Sequence, residues 1–236
     1  MSSTTHRSIH IPYWVDEATD RNHFFENHWK RVALELLANH EPQLTGMTLL
    51  DYGCGRGETL EYASSYGMEP TGMDVDPECV RIASGLGKAE LLDLANAAQQ
   101  VGVGTFDIVT CFHVLEHVDN PKQVLTMLRH AARRYVVTAV PNLRLISNLR
   151  QPRREGGRVN EGHLQNWDHS HLLNLAERHC GLKLVEWTFD HVKLPIVSNQ
   201  LCKLCGRKAA IHFETGLFKR LFPFQSTSII GLFRVV

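Results

Sequence analysis

No stretch of this sequence is apolar enough for long enough to cross a bilayer, since no run approaches the roughly 20 residues that a spanning helix needs. Nor does a charged, then apolar, then small-residue cleavage pattern open the chain, so the expectation is a cytoplasmic protein. An excess of one charge is also missing: lysine plus arginine and aspartate plus glutamate stand at 25 each, a formal net charge of zero. No global field therefore draws the chain to nucleic acid or to an anionic membrane, although a local basic patch fits that balance. Internal repeats and low-complexity segments are absent. The six cysteines, Cys54, Cys79, Cys111, Cys180, Cys202 and Cys205, are scattered through a chain too long to need stapling and read as reduced thiols. Only one C-x-x-C pair occurs, Cys202 with Cys205, and a zinc knuckle would need two more ligands, for which His191 and His212 are the candidates.

What is present is the composition of a globular domain, 43% hydrophobic and 21% charged over 236 residues, enough for one sizeable core. "RNHFFENHWKRVALELLANH" places Phe24, Trp29, Val32, Leu36 and Leu37 at helical spacing, which predicts a helical cap within residues 1–44. From "MTLLDYG" onward, short apolar runs alternate with helical patterns. "MEPTGMDV", "AELLDL", "FDIVTCFHVL" and "YVVTAVP" read as further strands, and the alternation predicts a parallel sheet covered on both faces. "GLKLVEWTFDHV" and "TSIIGLFRVV" add two strands, about thirty residues apart with no obvious crossover helix between them, a pattern that an antiparallel final pair would fit.

The segment "LLDYGCGRGETLEY" then carries the chemistry. An apolar strand runs into Gly53, Gly55 and Gly57, and a helix begins near Glu58. Glycine there permits positive φ and lets a ligand lie against bare backbone, in the crevice beyond the strand ends where open α/β sheets bind ligands. The order acid-x-G-x-G-x-G differs from the dinucleotide G-x-G-x-x-G. Asp51 at the strand end would repel phosphate and suit an ammonium group. Further on, "TGMDVDP" ends a second strand with Asp74, whose carboxylate can accept both hydroxyls of a ribose. A cationic ligand with a ribose, such as S-adenosylmethionine, meets both conditions.

"LLDYGCGRG", "GMDVDP", "LLDLANAA" and "FDIVTCFHVLEHVDNP" together resemble the successive motifs of class I S-adenosylmethionine-dependent methyltransferases. The resemblance implies a Rossmann-like α/β fold, a mostly parallel seven-stranded sheet with helices on both faces and an antiparallel last strand. It implies one domain over 1–236, with a cofactor-binding half at 45–145 and a substrate-side half at 146–236 carrying loop insertions at 144–163 and 194–225. It further implies that Gly53 and Gly55 flank the methionine moiety, with Cys54 between them in the cofactor-binding set. Asp51 would meet the amino group, Asp74 the ribose, Val75 an adenine face, Asp93 the adenine amino group with the Leu94 amide nearby, and Phe112 would lie beside the sulfonium.

Catalytic candidates fall just past the fourth strand. His113, Glu116 and His117 share one face if "FHVLEHVDNP" makes a helical turn, and "EGHLQNWDHSH" supplies His163, Asp168, His169 and His171. "HVLEHV" is similar to the E-x-x-E-H segment of ubiquinone-pathway O-methyltransferases and of small-RNA 2′-O-methyltransferases. In those families two glutamates and a histidine hold a divalent ion, and in the RNA enzymes a further histidine comes from a later segment resembling "GHLQNWD". Here His113 replaces the first glutamate, so His113, His117 and His163 are the catalytic candidates, and a metal held by His113, Glu116, His117 and His163 stays open. Three imidazoles and a carboxylate would suit manganese, iron or zinc better than magnesium.

The leading expectation is O-methylation of a small-molecule acceptor. RNA 2′-O-methylation, favoured by the histidines and the basic stretch after strand five but opposed by zero net charge, is the alternative, and an inactive cofactor-binding partner subunit is a third. "GLFKRLFPF", at 216–224, offers bulky apolar side chains beside Lys219 and Arg220 for a substrate lid, a dimer surface or a peripheral membrane contact, and leaves the oligomeric state open.

Overall fold

The computed structural model describes residues 20–143 and 162–236, with side chains from 27 onward within those ranges, Pro195 excepted. Helix α1 (Asp20–His40) precedes β1 (Thr48–Tyr52), α2 (Glu58–Ser65), β2 (Glu69–Asp74), α3 (Pro77–Ala83), β3 (Lys88–Leu91), α4 (Ala97–Val101), β4 (Phe106–Phe112), α5 (Pro121–Ala131) and β5 (Ala132–Pro141). Then come α6 (His169–Leu173), a π-helical turn (Asn174–His179), β6 (Leu182–Phe189), α7 (Pro195–Thr215), α8 (Leu217–Leu221) and β7 (Ser228–Val235).

The seven strands form one sheet in the order β3-β2-β1-β4-β5-β7-β6. β1 pairs in parallel with both β2 and β4, while β7 runs antiparallel between β5 and β6, as the sequence predicted. The chain winds outward from β1 in both directions, so the crevice at the switch between β1 and β4 is open for a ligand.

Burial on both faces explains the near-continuous apolar runs. Leu49, Ile108, Val137 and Ile230 face α1 and α2, whereas their neighbours Leu50, Val109, Val136 and Ile229 face α4, α5 and α6. Asp76 caps α3 by accepting from Glu78 N–H, and Asn120 caps α5 by accepting from Gln123 N–H; proline occupies the first turn of each helix.

Two expectations need correction. The segment 194–225 is mainly helical: α7, α8 and a 3-10 turn (Pro223–Gln225) fill most of it. Its helical period was illegible because Gly206 interrupts α7 at φ 83° and because exposed Leu204, Ile196 and Val197 blur any single apolar face. The segment after β4 is a bend and a tight turn, with His117 N–H donating to Val114 O at 2.9 Å, so His113, Glu116 and His117 are brought together without a helix. Of the expected 144–163 insertion, residues 144–161 lie outside the described residues, as do 1–19 of the N-terminal cap.

Candidate functional site

The glycine turn is built as its sequence demands. Gly53 and Gly55 have φ of 78° and 53°. A Cβ on Gly53 would sit 2.3 Å from Val114 Cγ2, whereas one on Gly55 would meet nothing within 4 Å, so Gly55 presents bare backbone to open space. Gly55 N–H donates to Asp74 Oδ2 at 2.8 Å and Asp76 N–H to Asp74 Oδ1 at 2.9 Å, which ties the end of β2 to the turn. Each Asp74 oxygen keeps a second lone pair for another donor.

Asp51 ends up 2% exposed. Burial pushes its carboxyl up to about 6, against the pull of a 2.6 Å hydrogen bond from Thr110 Oγ and of the Lys30 charge. Such a carboxylate gains most from a cationic ligand. Lys30 itself is paired with Glu58 at 2.8 Å. Neither Thr110 nor Lys30 was singled out from sequence. Thr110 sits opposite Asp51 in the β1–β4 register, a relation visible only once the strand order is known.

The Cys54 side chain points beneath the turn, buried against Gly72, and burial pushes its thiol up. Val75 and Leu94 are 53% and 63% exposed, apolar surface at the β2 and β3 ends. Asp93 accepts from Ala95 N–H at 3.0 Å and from Asn96 Nδ2 at 2.7 Å. Phe112 closes β4, its ring edge-to-face with Trp29 at 5.3 Å.

Beyond β4, Glu116 is 1% exposed, yet neither carboxylate oxygen has a hydrogen-bond donor among the described residues. His113 Nδ1 approaches Oε1 at 3.1 Å but lies off the line of a hydrogen bond. Burial pushes the Glu116 carboxyl up, but the nearness of His113 and His117 outweighs it and holds the group below the usual range.

His117 Nδ1 is 2.8 Å from Gly162 O, to which it donates, and this hydrogen bond sets the ring so that Nε2 lies 4.0 Å from Glu116 Oε1. The His163 ring lies 4.8 Å from that of His117. One ligand atom from each of Glu116, His117 and His163 falls within 4.8 Å of the others. His113 stands outside that group, its Nε2 on Ser228 Oγ at 3.1 Å.

What brings His163 here is the returning chain: Leu164 and Gln165 N–H both donate to Glu116 O, at 2.7 and 3.1 Å. The neighbouring Asp168, His169 and His171 do other work. Asp168 caps α6 and contacts His171 Nδ1 at 3.0 Å, and His169 packs on Trp187 and Phe224. Cys202 and Cys205 gather no metal-ligating set with His191 or His212 among the described residues.

The profile of a family described as a methyltransferase domain matches residues 21–186, well over half of the chain. The ubiquinone biosynthesis O-methyltransferase of Photobacterium profundum is 34% identical over 100 residues, covering 40% of this chain and 43% of that protein. Its namesake in Albidiferax ferrireducens is 35% identical over 96 residues, 37% of each. The matched region thus spans less than half the length of these curated relatives. Magnesium protoporphyrin IX methyltransferase from Synechocystis PCC 6803 with bound SAH superposes with a TM-score of 0.64 at 14% identity, covering 95% of this chain and 91% of that one. A SAM-dependent methyltransferase from Archaeoglobus fulgidus gives 0.61 at 18% identity, covering 92% and 100%. At these identities the likeness is one of fold.

Proposed function

We propose that this chain, which belongs to the methyltransferase domain family and so to the class I S-adenosylmethionine-dependent methyltransferases, methylates an oxygen of a small-molecule acceptor such as a phenol, a sugar or a quinone precursor. S-adenosylmethionine supplies an activated methyl on a sulfonium, so the protein's task is to place a nucleophile in line and to take the hydroxyl proton. Asp51 provides the counter-charge for the amino group, the free lone pairs of Asp74 receive the ribose hydroxyls, and the turn around Gly53, Cys54 and Gly55 leaves room for the methionine chain. Val75, Asp93 and Leu94 border the adenine, and Phe112 with Trp29 walls the reacting end.

The observation that carries the acceptor reading is the buried Glu116 carboxylate, without a hydrogen-bond donor among the described residues, beside His117 and His163. A carboxylate so placed calls for a cation, and Glu116, His117 and His163 would hold a divalent ion of the manganese, iron or zinc type. Bound there, the ion would lower the pKa of an acceptor hydroxyl. Without it, the imidazoles themselves would take the proton.

The test is methyl transfer from tritiated S-adenosylmethionine into acceptor pools, before and after dialysis against a strong chelator and readdition of each metal separately. Chelation should abolish turnover and leave cofactor binding intact. Full activity in the metal-free sample would leave His117 and His163 as bases, and unchanged turnover in both His117→Ala and His163→Ala would remove the cluster from the chemistry.

RNA 2′-O-methylation draws on the same histidines. Of its basic stretch, 141–163, residues 144–161 with all its arginines lie outside the described residues, and binding to RNA that weakens steeply with salt would favour it. Exposed Leu217, Leu221, Phe222 and Phe224 beside Arg220 suit a peripheral contact with lipid, where a lipophilic acceptor would be met; inward-facing Phe218 belongs to the core.

A further inference from the structure

A second buried polar group adjoins the acceptor side and is used by nothing described so far. Asp190 follows β6, His191 succeeds it and Ser228 opens β7, and they are 1%, 6% and 1% exposed. Asp190 Oδ2 contacts His191 Nδ1 at 2.9 Å, and its Oδ1 accepts Ser228 N–H at 2.8 Å. His191 Nε2 reaches Thr227 Oγ at 3.3 Å. Burial pushes the Asp190 carboxyl up, but His191 and the N–H donors of Ser228 and His191 outweigh it and hold the group below its ordinary range. A buried charge is kept at such expense only where its partners are fixed, and here they lead onward: Ser228 Oγ meets His113 Nε2 at 3.1 Å, and His113 Nδ1 faces Glu116 Oε1 at 3.1 Å.

His113 is also the one non-glycine among the described residues with positive φ, at 53°. Backbone strain of this kind persists where the surroundings over-determine it, and it gathers at functional sites. The surroundings do so here. His113 N–H donates to Ala139 O at 2.8 Å, the ring lies 4.6 Å from Trp29, and both ring nitrogens have neighbours.

We propose that Ser228, anchored by the Asp190–His191 pair, is a positioning residue that orients the His113 ring and, through it, the Glu116 carboxylate. The inference rests on the reading of Glu116, His117 and His163 as the acceptor side of the site. A hydroxyl can donate or accept, so Ser228 steadies the ring in either tautomer. When it donates to Nε2, the ring proton sits on Nδ1, 3.1 Å from Glu116 Oε1, where it attracts the carboxylate as a close charge contact rather than an aligned hydrogen bond. The two strands added after β5 thereby reach the reacting end, and His113 becomes a support rather than a base or a metal ligand.

The test compares Ser228→Ala, Ser228→Thr and Asp190→Asn in the full chain loaded with S-adenosylhomocysteine. Nitrogen-15 imidazole spectra read His113 directly. Ser228→Ala should remove the hydrogen-bonded Nε2 signal and Ser228→Thr should retain it. With catechol as the probe acceptor, Ser228→Ala should lower kcat about 10- to 100-fold, the scale for losing an outer support of a reactive group, with cofactor Kd unchanged. Ser228→Thr should recover most of that loss, Asp190→Asn should fall between, and Ser228→Ala should have no further effect in a His113→Ala background. An unchanged His113 spectrum in Ser228→Ala overturns the proposal, as do independent, multiplying losses in the double variant. A wild-type protein inert toward every hydroxyl acceptor would instead sink the proposed function, and the spectra would still decide whether Ser228 holds His113.

Discussion

At Asp51 the cost of burial opposes stability, and the proposed contact with the cofactor's amino group would be what it serves. Its carboxyl, ordinarily near 3.8, is pushed by burial to about 6. Between those values the folded chain holds a proton that the unfolded chain has shed, so stability falls as pH rises through that window and stays lower above it. A displacement of that size corresponds to about 3 kcal/mol. Asp51→Asn should therefore raise Tm at pH 7 while weakening S-adenosylmethionine at least tenfold, the scale of a lost charge-assisted hydrogen bond. Wild-type affinity for the cofactor should climb as pH rises through about 6 and level off above, and in Asp51→Asn that climb should disappear. Calorimetry across a pH range spanning that value reads both. Asp74→Ala makes a simpler forecast. Losing a carboxylate that receives the ribose should cost about 1.5–3 kcal/mol, or roughly 10- to 150-fold in Kd for both S-adenosylmethionine and its demethylated product. An unchanged Kd in a folded variant would remove the assignment.

The β1–α2 turn, as an element, separates two demands that a glycine can meet. Gly53 needs both its positive φ and the absence of a Cβ that would strike Val114, whereas Gly55 needs positive φ and faces open space. Alanine in the left-handed region costs roughly 1–2 kcal/mol at either position. Gly53→Ala adds a clash with a stiff β-branched side chain, so it should destabilise by about 3 kcal/mol or more, overpacking included. Gly55→Ala should lose only the smaller amount of stability, yet lose cofactor binding, because its methyl would project into the open space proposed for the ligand. Urea midpoints paired with titrations of S-adenosylhomocysteine distinguish the two. Equal effects on stability would mean that the two glycines are not divided in this way.

Across the molecule, the sheet order gathers the ends of β1, β2, β4, β5 and β6 and the start of β7 along one edge, so the glycine turn, Asp74 and the Glu116 cluster share a rim. A ligand seated there binds only the folded chain. At 100 times its Kd it should add about 2.7 kcal/mol and raise Tm by roughly 5–11 °C for a protein of this size. Thermal melts with S-adenosylhomocysteine measure this, and the shift should vanish in Gly55→Ala.

Features that depend on a few neighbouring residues could be read from the amino-acid order alone. The strand Thr48–Tyr52, the glycine turn, the helix that follows and the Asp74 that ends β2 were all legible, because hydrophobic period, positive-φ glycine and an acid at a strand end are local constraints. The antiparallel pairing of the final strands was expected correctly, but its premise fails: α7 and α8 lie between β6 and β7, and the pairing is set by packing rather than by the lack of a helix. Long-range packing set the rest. Thr110 reaches Asp51 only through the β1–β4 register, His163 reaches His117 because the returning chain donates two N–H groups to Glu116 O, and Asp190 supports Ser228 because β6 and β7 run side by side. The helical character of 195–215 was masked by a glycine within it and by apolar side chains left exposed. In each of these cases the partner lies far along the chain or the burial depends on a neighbouring element. Periodicity records which face of a segment is apolar; which distant group that face meets is set by how the elements pack.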